Sequence, residues 1–449
     1  MTSQSPVSPS HGFRSVAPVL ALCWLAVFFD GMDVNIYGAV MPHMLDDEGL
    51  GLTPSIAGTI GSWTTSGMLV GALVAGNVTD WIGRRATIIA SVTLFSAGSA
   101  VCALAAGTGS FGAGRFLAGL GLGGLMPICL AVVMEFAPPR RVALATGLLM
   151  TSYHGGGMAA TGLGLWVAPD HGWRWVFWAG VLPAVIAVPL LLRWFPESPA
   201  VLLARGRRAE AEAVADRYGM AAPRPAEAPP GGVRGRVDAV LALFRPESRL
   251  ATPLLWVASF CGLLLVYGVS TWLPQLMRAS GYGLSSSVSF LMVINAGGIL
   301  GMLIAGHTAD RYGAVRVSAL WFVLTALGAL LLREHLTLGV TYVVVFLTGV
   351  FLFSAQVMVY AATDGVYPAS ERATGLGWVT GIGRTGAVVG PWLGGALVAN
   401  GAEDWGFLMF AAAGLTGAAM IALVPVAARL GRRWAPAGGA EPVTGSERG

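Results

Sequence analysis

One loop occurs twice in this chain, about 230 residues apart, each time between apolar stretches long enough to cross a membrane. The first copy runs Gly76-Asn77-Val78-Thr79-Asp80-Trp81-Ile82-Gly83-Arg84-Arg85, and the second runs Gly306-His307-Thr308-Ala309-Asp310-Arg311-Tyr312-Gly313-Ala314-Val315-Arg316. Both read G-x-x-x-D-x-x-G, with arginine following. Two further pairs fall at nearly the same offset. Ile36-Tyr37-Gly38 with Pro42 returns as Val266-Tyr267-Gly268 with Pro274. Glu135 and Ala145-Thr146-Gly147 return as Asp364, Glu371-Arg372 and Ala373-Thr374-Gly375. Three pairs in register imply two homologous halves. Duplicated membrane halves predict alternating access about a central site.

Composition fits that reading. Of the residues, 55% are hydrophobic and only 11% charged, with 63 glycines, whereas soluble domains carry about 25% charged residues. Glycine lets helices approach closely in lipid, where apolar burial no longer drives association. Spans of about 20 residues fall at 17–41, 54–77, 86–107, 109–135, 143–168 and 174–194. Six more follow at 251–277, 285–308, 315–333, 337–362, 373–400 and 405–429. The expected fold is therefore all-α and integral to the membrane, with twelve transmembrane helices in two pseudo-symmetric six-helix halves. The expected organisation is a tail over 1–16, a half over 17–194, a linker over 195–250, a half over 251–430 and a tail over 431–449. Within the linker, Ala209 to Tyr218 reads as a short surface helix and Pro223 to Gly232 as a flexible connection.

Every basic residue is arginine, and the arginines set the orientation. With the N-terminus inside, 22 of the 27, including Arg84, Arg85, Arg140, Arg141, Arg311, Arg316, Arg372, Arg432 and Arg433, lie on or beside the cytoplasmic face. Only Arg174, Arg278 and Arg333 lie outside, near Asp46-Asp47-Glu48 and Glu403-Asp404. Positive charge inside places both termini in the cytoplasm and the chain in the cytoplasmic membrane. Arginine clustered in short loops beside apolar spans also argues against nucleic acid as a partner. Cys23, Cys102, Cys129 and Cys261 sit in apolar stretches without CxxC spacing, so neither a disulfide nor a metal is expected.

Over nearly its whole length the chain resembles the major facilitator superfamily. The double loop carries the resemblance, together with Arg115-Phe116-Leu117-Ala118-Gly119-Leu120-Gly121-Leu122-Gly123-Gly124, Trp173-Arg174-Trp175 and Pro196-Glu197-Ser198-Pro199. Trp81 departs from the pattern, standing where the family usually has a basic residue; Arg311 holds that place in the second copy. Within the superfamily the chain is similar to the aromatic acid:proton symporters. Asp30-Gly31-Met32-Asp33, Gly383-Arg384-Thr385-Gly386-Ala387 and Gly390-Pro391 carry this closer likeness. The run Val34 to Pro42 looks nearer the benzoate members.

Asp30 and Asp33 lie near the middle of the first span, and i, i+3 spacing puts both on one face. A charge at that depth costs about 2.5–3.5 kcal/mol unless it is wet, paired or protonated. Burial and mutual repulsion favour the neutral carboxyl, as a proton-coupling group requires. Either or both serve as the proton site, or one is a structural partner for an arginine. Arg384 is equally deep in the eleventh span. Its planar fork suits a carboxylate, from the substrate or from Asp30 or Asp33. Arg115, nearer the outer end of the fourth span, either snorkels to water or, as the resemblance implies, takes part in substrate binding or proton coupling. Tyr37, Tyr267 and Trp378 are expected to line an aromatic slot, and Tyr153, Trp272 and Tyr360 lie on bordering spans. His154 either titrates or is structural. Asp80, Arg84, Arg85, Glu135, Asp310, Arg311, Asp364 and Arg372 form the expected gate of breakable ion pairs.

Rival classes lack their signatures. Six scattered histidines, at 11, 43, 154, 171, 307 and 335, make no HxxxH or HExxH, and no Walker loop is present. No enzyme, cofactor or ATP-driven pump is expected. The expected function is proton-coupled uptake of an aromatic monocarboxylate of the benzoate or hydroxybenzoate type by a monomer. The alternative is a transporter of another organic anion, a sugar acid or a drug.

Overall fold

A computed structural model describes residues 13–138, 141–220, 238, 240–368 and 371–434. Residues 1–12, Arg140, the Pro223–Gly232 stretch and the 435–449 tail lie outside the described residues. The described chain is helical, and nine helical stretches, with Trp173–Trp194 counted as one, are long and apolar enough to cross a membrane. The first half comprises α1 (Phe13–Leu45), α2 (Pro54–Ile82), α3 (Arg84–Ala103), α4 (Thr108–Phe136), α5 (Val142–Trp166), α6 (Ala168–His171), α7 (Trp173–Ala179) and α8 (Leu182–Trp194). Two short helices follow, α9 (Pro199–Ala204) and α10 (Arg208–Tyr218). The second half comprises α11 (Ala251–Ala279), α12 (Leu284–Tyr312), α13 (Ala314–Arg333), α14 (Leu338–Ala362), α15 (Arg372–Ala399) and α16 (Asp404–Trp434). Counting α7 and α8 together as the sixth crossing gives two sets of six. The expected single helix over 174–194 is broken after Ala179, where Pro183 supplies no N–H to close the ladder.

The repeated loop has a backbone cause. Gly83 and Gly313, the last glycine of each copy, end α2 and α12 at φ of 97° and 87°. An L side chain rarely adopts that region, so glycine lets the chain reverse between two helices across one residue. In α4 the glycine-rich motif is a packing seam. A Cβ on Gly119 or Gly123 would strike α2 at Thr64 or Met68, and one on Gly121 would strike α3 at Ser91. Close backbone approach supplies the packing that lipid denies to apolar side chains.

The halves meet through α2 with α15, α5 with α12, and α1 with α11. The contact is dense at the end carrying the α1–α2 turn. Gly58 abuts Gly395, Gly61 abuts Pro391 and Gly38 abuts Ser270. Ser62 Oγ donates to the Val388 carbonyl at 2.6 Å, and Arg278 pairs with Asp46 at 2.8 Å. The close inter-half contacts gather at the end carrying the α1–α2 turn.

Candidate functional site

The two aspartates of α1 sit in different surroundings. Asp33 turns into the first half and is fully buried. Its Oδ1 accepts from Arg115 Nη1 at 2.8 Å, and Ser99 Oγ donates to its Oδ2. Arg115, only 1% exposed, also donates from Nε to Thr64 Oγ1 at 3.3 Å. The rings of Tyr37 and Phe177 lie 5.7 and 5.8 Å from its guanidinium carbon. Arg115 therefore does not snorkel. α1, α2, α3 and α4 enclose it, and its charge is answered inside one half. Tyr37 belongs to this enclosure. Its hydroxyl donates to the Ala57 carbonyl at 2.7 Å, which commits it to α2 instead of an open slot.

Asp30, one turn away, is also buried, but its Oδ1 has no hydrogen-bond partner. Arg384 reaches toward it from α15 in the other half, near enough for their charges to interact. Depth at this arginine predicts a carboxylate partner, and the structure differs. Among the described residues no carboxylate lies within ion-pair distance of Arg384. Its guanidinium instead touches the Gly123 carbonyl at 3.3 Å and the Met68 carbonyl at 3.5 Å, both beyond the usual hydrogen-bond range. These are weak holds on a five-donor group. Tyr153 of α5 and Tyr267 of α11 lie near one another across the halves, within the field of both Asp30 and Arg384. Tyr360 of α14 faces the same arginine. Trp378 is not brought into this group. It is 39% exposed and stacks on Trp256 at 5.7 Å, six residues, or about 9 Å of helix rise, from Arg384.

Beside this cluster a chain of amides crosses the interface. Asn35 Nδ2 donates to the Gly31 carbonyl at 2.8 Å, Asn295 Nδ2 to Asn35 Oδ1 at 3.3 Å, and Asn295 Oδ1 meets His154 Nδ1 at 3.1 Å. His154 is 2% exposed, with Phe353 against its ring. Sequence reasoning passed over Asn35 and Asn295 because uncharged amides carry no depth penalty conspicuous enough to mark them.

The two loop copies differ as well. Arg84 pairs with Glu135. Glu197 Oε1 accepts from the backbone N–H of Arg84 at 2.9 Å and of Arg85 at 3.2 Å, capping α3. Arg85 Nη2 donates to the Leu192 carbonyl at 2.5 Å, and Arg205 Nη2 to the Asp80 carbonyl at 3.3 Å. In the second copy Asp310 and Arg311 are exposed, and Arg311 lies over its neighbour Tyr312 at 5.3 Å. Asp364 pairs with Arg372 at 3.3 Å, both well exposed. Arg245, from the end of the linker, pairs with Glu371. Glu197 lies in the Pro196-Glu197-Ser198-Pro199 run, yet its capping role was not foreseen, since the contact spans more than 100 residues.

Known proteins bear out the architecture. The chain is 32% identical over 417 residues to a gentisate transporter of Corynebacterium glutamicum, covering 92% of this chain and 88% of that one. It is 33% identical over 412 residues to a benzoate transport protein of Acinetobacter baylyi, covering 89% and 86%. The Escherichia coli xylose transporter, in a partially occluded inward-open conformation, superposes with a TM-score of 0.71 at 15% identity, covering 90% of this chain and 97% of that one. Residues 23–332 and 294–444 match the Major Facilitator Superfamily, and the chain belongs to that superfamily of membrane transporters.

Proposed function

We propose that the chain imports an aromatic monocarboxylate together with a proton, by alternating access in the cytoplasmic membrane. The arginine-rich end faces the cytoplasm with both termini, and the halves meet closely at the other end, as an inward-facing arrangement requires. The halves 17–194 and 251–430 are the moving bodies and 195–250 joins them. One observation carries the reading. Asp30 and Arg384 approach one another from opposite halves without forming an ion pair, whereas Asp33 and Arg115 already neutralise each other.

Arg384 is then the receptor for the substrate carboxylate, and its loose contacts to two carbonyls give way to a bidentate fork. Asp30 is the proton acceptor, because its carboxylate has no fixed cation to hold it ionised. With the proton on Asp30 and the anion on Arg384 the site is neutral, and crossing from one access state to the other no longer exposes a bare charge. The neighbouring side chains of Tyr153 and Tyr267, one from each half, cover the aromatic ring and move apart when the outer end opens. The names of the relatives, gentisate and benzoate transporters, support an aromatic acid. Asp80, Arg84, Arg85, Glu135, Asp310, Arg311, Asp364 and Arg372 act at the cytoplasmic gate of a monomer.

The test is uptake of radiolabelled benzoate into right-side-out vesicles with acid outside, alongside counterflow without a gradient. Asp30→Asn should abolish gradient-driven accumulation and keep counterflow. Accumulation at the wild-type level in Asp30→Asn would remove the proton from Asp30.

A further inference from the structure

One polar contact between the halves lies deep in the bundle and takes no part in the charge chemistry above. Asn295, near the middle of α12 in the second half, sits between two residues of the first, Asn35 on α1 and His154 on α5. All three are at most 2% exposed. Asn295 Nδ2 donates both to the Leu291 carbonyl of its own helix at 2.8 Å and to Asn35 Oδ1 at 3.3 Å. Its Oδ1 can only accept, so His154 Nδ1 carries the proton in the 3.1 Å contact between them. Glycines make room for the bridge. A Cβ on Gly157 would stand 2.6 Å from Asn295 Oδ1 and 2.9 Å from Asn35 Nδ2, and one on Gly298 would stand 2.8 Å from His154 Nδ1.

When the halves part along α5 and α12, Asn35 Oδ1, Asn295 Oδ1 and His154 Nδ1 lose these partners together. Among the described residues none of the three atoms has another. The middle of a bilayer offers few replacements, and leaving a buried polar group unmatched costs more than the bond contributes when made. The ion pair between the halves is of another kind. Arg278 and Asp46 are 35% and 54% exposed, and a pair in that setting holds little. The amide bridge is therefore the stronger polar tie between the halves.

From this we infer that Asn295 is a latch: by bridging Asn35 and His154 it holds the outer end closed and sets how often that end opens. The inference rests on alternating access as proposed above, and it does not depend on which acid is carried or which carboxylate takes the proton. Removing both inter-half bonds should raise the population of the outward-open arrangement about tenfold, the equivalent of one or two modest neutral hydrogen bonds.

Alkylation of a cysteine from outside tests the latch. Ser62, whose hydroxyl crosses between the halves, serves as the reporter through Ser62→Cys in every protein compared, in right-side-out vesicles with a membrane-impermeant maleimide. Its labelling rate follows the fraction of time the outer end is open. Asn295→Ala should raise that rate about tenfold. Gly157→Ala should raise it too, because alanine suits the helix better than glycine and acts here only by displacing the amides. Asn35→Ala should raise it less, since the His154 bond remains, and Asn35→Ala combined with Asn295→Ala should match Asn295→Ala alone. Each variant is also treated with Ser62 intact. The four native cysteines are buried, so labelling there marks a misfolded variant and leaves the decision to the other. Wild-type rates in Asn295→Ala and Gly157→Ala, or an Asn35→Ala increase that persists in full on top of Asn295→Ala, overturn the latch and leave alternating access standing. A wild-type reporter that labels as fast as it does in unfolded protein removes the inward-facing arrangement, and the latch with it.

Discussion

Each half holds one deep arginine, and the two are treated in opposite ways. Arg115 is enclosed by its own half, with Asp33, Thr64 and two aromatic rings around it. Arg384 reaches out of its own half and meets only two carbonyls of the other, at long range. The cytoplasmic loops follow the same division. The first copy is fastened by Glu135, Glu197 and Leu192, while in the second Asp310 and Arg311 are exposed, and the Asp364–Arg372 pair of the same half lies at the surface, where such pairs contribute little. Duplication supplied one scaffold twice. The first half spends its charges on internal order, and the second leaves its deep charge available to a ligand.

Removing each arginine breaks the comparison most severely. Arg115→Leu strands the Asp33 carboxylate in a fully buried site, and breaking a buried pair this way costs about 3–5 kcal/mol. Arg384→Leu strands no buried partner of that kind and should cost far less. Thermal unfolding of both variants in the same detergent measures the difference. Equal losses would mean that Arg384 is as firmly paired as Arg115.

Binding should show the reverse order. Lysine keeps charge at position 384 but loses the planar fork. A charge-assisted hydrogen bond is worth about 1.5–3 kcal/mol, so Arg384→Lys should weaken benzoate binding roughly ten- to a hundredfold. The amide of the same acid should compete poorly against wild type. Benzoate affinity unchanged in Arg384→Lys would move carboxylate recognition elsewhere.

Sequence made the scaffold legible because its signals are periodic and repeated. The duplicated loop, the glycine seam of α4 and the arginine sidedness each mark a backbone or topological demand, and a membrane punishes departures from them. The site was legible only as a list of deep charges. Spacing placed Asp30 and Asp33 on one face, but which arginine answered which aspartate depended on packing between α1, α3 and α4. Tyr37 and Trp378 show the limit: both lie on spans that border the cavity, yet one hydroxyl is taken by Ala57 and the other ring stacks on Trp256. Helix identity restricts a side chain to a neighbourhood, and rotation about the helix axis decides what it meets. Glu197 and Asn295 were hidden for a related reason, since each works through partners distant in sequence.

The smallest expected effect separates the two loop copies at a single matched position. Gly83 and Gly313 share nearly the same φ, so alanine at either imposes similar backbone strain, about 1–3 kcal/mol. Their surroundings differ. A Cβ at Gly83 would collide with the Glu197 carboxylate, whereas one at Gly313 would meet no described atom within 4 Å. Gly83→Ala should therefore cost more than Gly313→Ala, by about 1 kcal/mol for the disturbed cap. In a Glu197→Ala background the excess should vanish, because the cap is already gone and the methyl group has nothing to strike. Chemical unfolding of the four variants gives the comparison directly. An excess that persists without Glu197 would show that the halves differ in the loop backbone itself, and that the acidic cap does not set the first copy apart.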